Sequence, residues 1–128
     1  MNILLDTHIF LWLLTNDRRL PERCRDAISS QENEVYLSVV SVWEAMIKYQ
    51  LGKLPLPESP EIYLPKQRER HQIASLSISE TTITQLAKLP PLHKDPFDRL
   101  LLCQSLEHDL IIMTEDEAII SYPIAKIF

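Results

Sequence analysis

The sequence predicts an α/β domain built on a parallel sheet with helices on both faces. Three observations predict it. Strand-like and helix-like segments alternate along the chain. The strand-like segments are unbroken apolar runs, the pattern of strands buried on both faces. The 128 residues, 45% of them apolar, suffice for one core, and no linker is long enough to divide the domain spanning residues 1–128.

The elements follow in order. Residues 2–6, NILLD, form a buried strand that ends in an acid. Thr7 is placed as the cap of a helix whose apolar side is Ile9, Phe10, Trp12 and Leu13. After a polar break at 17–20, Pro21 suits the first turn of a second helix running to about Ser30. Residues 35–38, VYLS, form a second strand. Ser41 and Glu44 match a capping box, S-x-x-E, opening a helix to about Leu51, and Gly52 stands where the chain must turn left-handed. A loop with three prolines at 54–60 precedes a charged helix at 61–70 and a third strand at 73–76. Ser79 caps a helix from Glu80 to about Lys88. A second proline-rich loop at 89–94 leads to Asp95 and Pro96, which cap and begin a helix to about His108. Residues 110–113, LIIM, form a fourth strand, 114–120 a turn and short helix, and 124–127 a short edge strand.

Composition narrows the function. The chain has 13 Lys and Arg against 18 Asp and Glu, a formal net charge of −5. That balance does not favour nucleic acid or an anionic membrane as a partner, but it suits cations. The single glycine, against nine prolines, excludes a P-loop, a dinucleotide-binding turn and a nucleophile elbow, each of which needs several glycines. Cys24 and Cys103 stand far apart, with no CxxC spacing, so a reduced, cytoplasmic setting is expected. The apolar stretch at 3–14 contains Asp6 and His8 and is too short to span a bilayer, so no membrane partner is expected.

Ligands of open parallel sheets bind outside the carboxyl ends of the strands. The acids collect there. Asp6 closes the first strand, Glu44 opens the helix after the second, Asp98 lies in the first turn of the helix before the fourth, and Asp116 follows that strand. Four carboxylates in one crevice raise each other's pKa or require a cation, and oxygen-only ligands select Mg²⁺ or Mn²⁺. Such an ion polarises a phosphodiester and activates water, which is the chemistry of a metal-dependent nuclease. Each acid also has a structural reading. Glu44 fits a capping box, Asp98 complements a helix dipole, and Asp116 fits a turn or cap. Asp6 is the hardest to explain structurally, because an unpaired acid at the end of a buried strand is costly.

Several other residues are read structurally. His8 is expected to be buried and hydrogen-bonded. Trp12 and Trp43 are read as core or interface, Cys103 as a small buried hydrophobe, and Arg68 and Arg70 as part of a solvated face. His93, Lys94 and Arg99 lie near the acids in sequence and are candidate phosphate contacts, with a surface ion pair as the other reading of Arg99.

Asp6-Thr7-His8 after an apolar strand, Ser41 with Glu44, the run DPFDRLL at 95–101, and Thr114-Glu115-Asp116 occur in this order. Together they resemble the PIN domain, and within it the VapC-type toxins of toxin–antitoxin pairs. The resemblance implies a three-layer α/β/α sandwich with a central, mainly parallel sheet of four to five strands. It implies a Mg²⁺- or Mn²⁺-dependent endoribonuclease, an RNA substrate, a cognate antitoxin and a homodimer. The family's acids fall on Asp6, Glu44, Asp98 and Asp116, as catalytic residues and metal ligands, with supporting hydroxyls at Thr7, Ser41 and Thr114. Residues 10–14 and 54–64 are candidate dimer or antitoxin contacts.

Other classes fit less well. A phosphoaspartyl phosphatase wants an aspartate two residues after the first, where this chain has His8. A receiver-like binding module wants paired acids at the first strand, and only Asp6 is there. A PIN-fold protein without nuclease activity is the remaining alternative, and the four acids argue against it.

Overall fold

The computed structural model describes residues 1–123 and 125–128. Its elements run β1 (Asn2–Leu5), α1 (Thr7–Thr15), α2 (Glu22–Ser29), β2 (Glu34–Ser38), α3 (Val39–Gln50), α4 (Pro60–Arg70), β3 (Ala74–Leu76), α5 (Glu80–Gln85), α6 (Pro96–His108), β4 (Ile111–Met113) and α7 (Glu117–Ile120). A short 3₁₀ turn, Leu86–Lys88, follows α5. The four strands pair in the order β3-β2-β1-β4, and every pair is parallel.

Alternation along β1 explains why its sequence is wholly apolar. Ile3 and Leu5 pack on one face with Ile9, Phe10, Leu37 and Met113, whereas Leu4 packs on the other with Leu101, Leu102 and Ile112. Both faces are covered, so Ile3, Leu4 and Leu5 are all buried and a period of two has nothing to mark there. The expected layers and parallel sheet are therefore present. The expected edge strand at 124–127 is reduced to one parallel bridge between Ile112 and Ile127, and residue 124 lies outside the described residues.

The strand order places the site. From β1 the chain moves outward to β2 and β3, then returns to pair β4 on the opposite side of β1. The order reverses between β1 and β4, and an open parallel sheet splits into a crevice at that point, outside its carboxyl ends.

Two helix starts differ from expectation. Ser38 caps α3, its hydroxyl accepting from the Val40 N–H at 3.0 Å. The helix therefore begins before Ser41, and the expected capping box at Ser41 and Glu44 does not exist. Both residues sit inside the helix, where their side chains are free for other work. Thr7 likewise is not a cap, because it is the first residue of α1 and Asp6 holds the extended position before it.

With one glycine available, the left-handed ends of helices are taken by other residues. Asn16 and Asp109 end α1 and α6 at φ 52° and 53°, a conformation that short polar side chains tolerate. Gly52 ends α3 at φ 73°, with its N–H on the Tyr49 carbonyl and the Lys53 N–H on the Lys48 carbonyl. That pair of bonds is a Schellman motif. A Cβ at Gly52 meets nothing within 4 Å, so the strain of a substitution there comes from the backbone alone. Gly52→Ala is expected to lower stability by about 1 kcal/mol in urea unfolding, and Gly52→Asn by less.

Candidate metal centre

Asp6 stands at the carboxyl edge of the central strand, its N–H bonded to the Met113 carbonyl of β4. It is buried, and its carboxylate accepts from the Thr114 hydroxyl at 2.8 Å. The same Thr114 oxygen accepts from the Asp116 N–H at 2.9 Å. One hydroxyl thus ties the acid after β1 to the turn after β4. Asp116 is half-buried and caps α7, its Oδ1 accepting from the Ala118 N–H at 2.9 Å. The cap reading of Asp116 is correct, and among the described residues Oδ2 takes no part in the cap.

Across the crevice the Thr7 hydroxyl donates to Ser41 Oγ at 2.8 Å, and both residues are buried. This bond joins α1 to α3, which carries Glu44. Glu44 is buried at 4% exposure. Its Oε2 pairs with Lys48 Nζ at 2.9 Å, but its buried Oε1 has no hydrogen-bond partner among the described residues. Lys48 went unnoticed in the sequence. Its spacing from Glu44, four residues along one helix, was the available signal.

Asp98 is buried in the first turn of α6, where Asp95 caps the helix by accepting from the Phe97 and Asp98 N–H groups. His93 Nε2 lies 2.7 Å from Asp98 Oδ2. Donor atoms of His93, Asp98 and Asp116 all lie within 4.8 Å of one another.

The electrostatics link all four acids. Burial pushes the Asp98 carboxyl up to about 7; the bond from His93 opposes the rise, and the charges of Asp6, Asp95 and Glu44 add to it. Burial also raises Asp6, opposed chiefly by its bond from Thr114, while Glu44 and Asp116 push it further up. An orphaned buried carboxylate oxygen and acids that raise one another are the signs of a site short of positive charge. The donors fit a divalent cation.

Some expectations need correction. His8 is exposed, not buried, and lines a cleft of about 220 Å³ with Asp6, Ile9, Trp12, Glu115 and Asp116. Among the described residues Arg99 makes no ion pair, so the surface ion-pair reading fails. Its guanidinium donates to the Leu86 and Pro90 carbonyls and the Tyr122 hydroxyl, so it clamps the loop before α6. Arg68 reaches the Ile73 carbonyl at 2.8 Å and is not merely a solvated charge. Of residues 10–14, Phe10 and Leu11 are buried in the core, leaving Trp12, Leu13 and Leu14 partly open. Trp43 is 52% exposed with its ring edge-on to Phe97, so it is not core. Cys103 is buried as expected.

The PIN domain family model matches residues 3–124. The chain belongs to the PIN domain family. Ribonuclease VapC16 of Mycobacterium tuberculosis is 39% identical over 54 residues, which are 42% of this chain and only 38% of that relative. Several solved structures resemble this PIN domain over its whole length. VapBC2 from Rickettsia felis, bound to a DNA fragment from its promoter, matches with a TM-score of 0.73 at 15% identity, covering 100% of this chain and 98% of that one. VapBC-1 from nontypeable Haemophilus influenzae matches with a TM-score of 0.72 at 18% identity, covering 100% and 97%. At such identities the likeness is one of fold. Among the described residues no helix is long and apolar enough to cross a membrane.

The raised acid gives this PIN domain a pH signature. Unfolded, Asp98 titrates near 3.8, and folded near 7. Between those values the folded state holds the extra proton, so stability falls as pH rises through that window and levels above it. In urea unfolding with chelator present, Asp98→Asn is expected to flatten that fall, whereas an unchanged slope would contradict the raised pKa.

Proposed function

We propose that this PIN domain is a divalent-metal-dependent endoribonuclease, the toxin of a toxin–antitoxin pair, acting in the cytoplasm. The observation that supports the reading is the electrostatic influence of Asp6, Glu44, Asp98 and Asp116 on one another, with Glu44 Oε1 buried and without a hydrogen-bond partner among the described residues. Asp6, Glu44, Asp98 and Asp116 are the catalytic acids and would hold Mg²⁺ or Mn²⁺. When bound, the ion supplies Lewis-acid stabilisation of a phosphodiester and a water activated for attack.

The chain's own residues set the geometry. Thr114 fixes the rotamer of Asp6 and the turn of Asp116 through one oxygen. The Thr7–Ser41 bond ties α1, which follows Asp6, to α3, which carries Glu44. Lys48 offsets part of the Glu44 charge from the rim of the site. The net charge of −5 opposes RNA only while the acids are uncompensated, since a bound cation reverses the local sign.

The partner reading rests on likeness. The similar structures are named as VapBC complexes, and a VapB-like antitoxin is the corresponding partner here. Homodimerisation would use apolar surface that the core leaves open, with Trp43 and Ile62 each more than half exposed.

Purified protein, incubated with RNA and either Mg²⁺ or Mn²⁺, tests the activity. Cleavage is expected to stop with EDTA and to fall by about a hundredfold or more in Asp6→Asn and Asp98→Asn. Undiminished cleavage by both variants would contradict the assignment. Metal binding without cleavage of any RNA would instead favour a PIN-fold binding module.

A further inference from the structure

The loop between the 3₁₀ turn and α6 is held more firmly than a surface loop of prolines requires. Arg99 donates to the carbonyls of Leu86 at 3.3 Å and Pro90 at 3.1 Å. The buried Tyr122 hydroxyl accepts from Arg99 at 3.2 Å and from the His93 N–H at 3.0 Å. These bonds fix the His93 backbone and turn its ring inward. His93 Nε2 then lies 2.7 Å from Asp98 Oδ2, and a ring nitrogen of His93 lies within 4.8 Å of carboxylate oxygens of both Asp98 and Asp116. Donors that share one small divalent ion lie about 3 to 4 Å apart, so these three atoms need little movement to close on one. Glu44 supplies an independent sign of a missing cation, through its buried Oε1, which has no hydrogen-bond partner among the described residues.

We propose that His93 is a nitrogen ligand of the metal centre, completing with Asp98 and Asp116 a mixed nitrogen–oxygen site that takes Mn²⁺ in preference to Mg²⁺. The proposal rests on the reading that the acids hold a divalent cation, and it names which cation. Carboxylates alone suit Mg²⁺ and Mn²⁺ together, whereas imidazole binds first-row transition ions better than it binds Mg²⁺. On this assignment Arg99 and Tyr122 are positioning residues, since they act on the site through the His93 backbone.

Pulsed electron paramagnetic resonance of the Mn²⁺-loaded full chain reads this directly, through hyperfine coupling to a directly bound nitrogen. Coupling is expected in the wild-type protein and in His8→Gln, whose imidazole also stands near Asp6, and is expected to vanish in His93→Gln. In the same variant Mn²⁺ affinity should fall about tenfold or more, while Mg²⁺ affinity, read by competition, changes by less than about threefold. Bound Mn²⁺ without nitrogen coupling in the wild type would overturn the His93 assignment and leave the acid reading standing. Coupling that survives in His93→Gln and vanishes in His8→Gln would overturn it too. No Mn²⁺ binding by the wild type would overturn both. The wild-type and His8→Gln spectra decide the question even if His93→Gln folds poorly.

Discussion

Burial of carboxylates, made worse by their repulsion of one another, is the constraint on which the rest of this structure depends. Asp6 and Glu44 are nearly inaccessible to water, and Asp98 is little more exposed. In an apolar interior each charge is costly, and each raises the cost of the others. The fold meets part of that cost with fixed donors. Thr114 serves Asp6, Lys48 serves Glu44, and His93 serves Asp98. None of these supplies two positive charges at the centre, which is what a divalent cation brings. The site is therefore strained toward neutrality when empty of cations, and it is built to be relieved by one.

The sheet makes this crowding possible. Parallel strands send all their carboxyl ends to one edge, and the reversal of strand order beside β1 opens that edge between β1 and β4. Asp6 and Thr114 flank the opening because each directly follows its strand. Glu44 and Asp98 come from helices that start at the same edge. Glu44 and Asp98 lie within helices, Asp6 directly follows β1 and Asp116 caps α7, so the charges cannot drift apart to relax. His93 lies on a loop, which Arg99 and Tyr122 tie down.

Most of the architecture was legible in the sequence. Continuous apolar strands and the Asp95-Pro96 helix start carried enough information to place every strand of the sheet and α6. The errors were local. Ser41 and Thr7 were assigned as helix caps because Ser and Thr favour those positions. Here Ser38 performs the cap of α3, and the hydroxyls of Ser41 and Thr7 bond to each other across two helices. A contact between residues 34 apart has no local signature. The same holds for Arg99, whose partners lie on the preceding loop and near the end of the chain, at Tyr122. Lys48 had a readable signal in its spacing from Glu44. The exposure of His8 did not, since it follows from which face of α1 meets the sheet.

The central claim is that a divalent cation supplies charge this site lacks. Equilibrium urea unfolding at about pH 8, above the folded pKa of Asp98, tests it most directly when repeated across a range of Mn²⁺ concentrations. The account predicts that stability climbs with Mn²⁺, by about 2.7 kcal/mol at a hundred times the dissociation constant, and that Asp98→Asn loses most of the gain. Stability independent of Mn²⁺ in the unaltered chain, or an equal gain in Asp98→Asn, would contradict it.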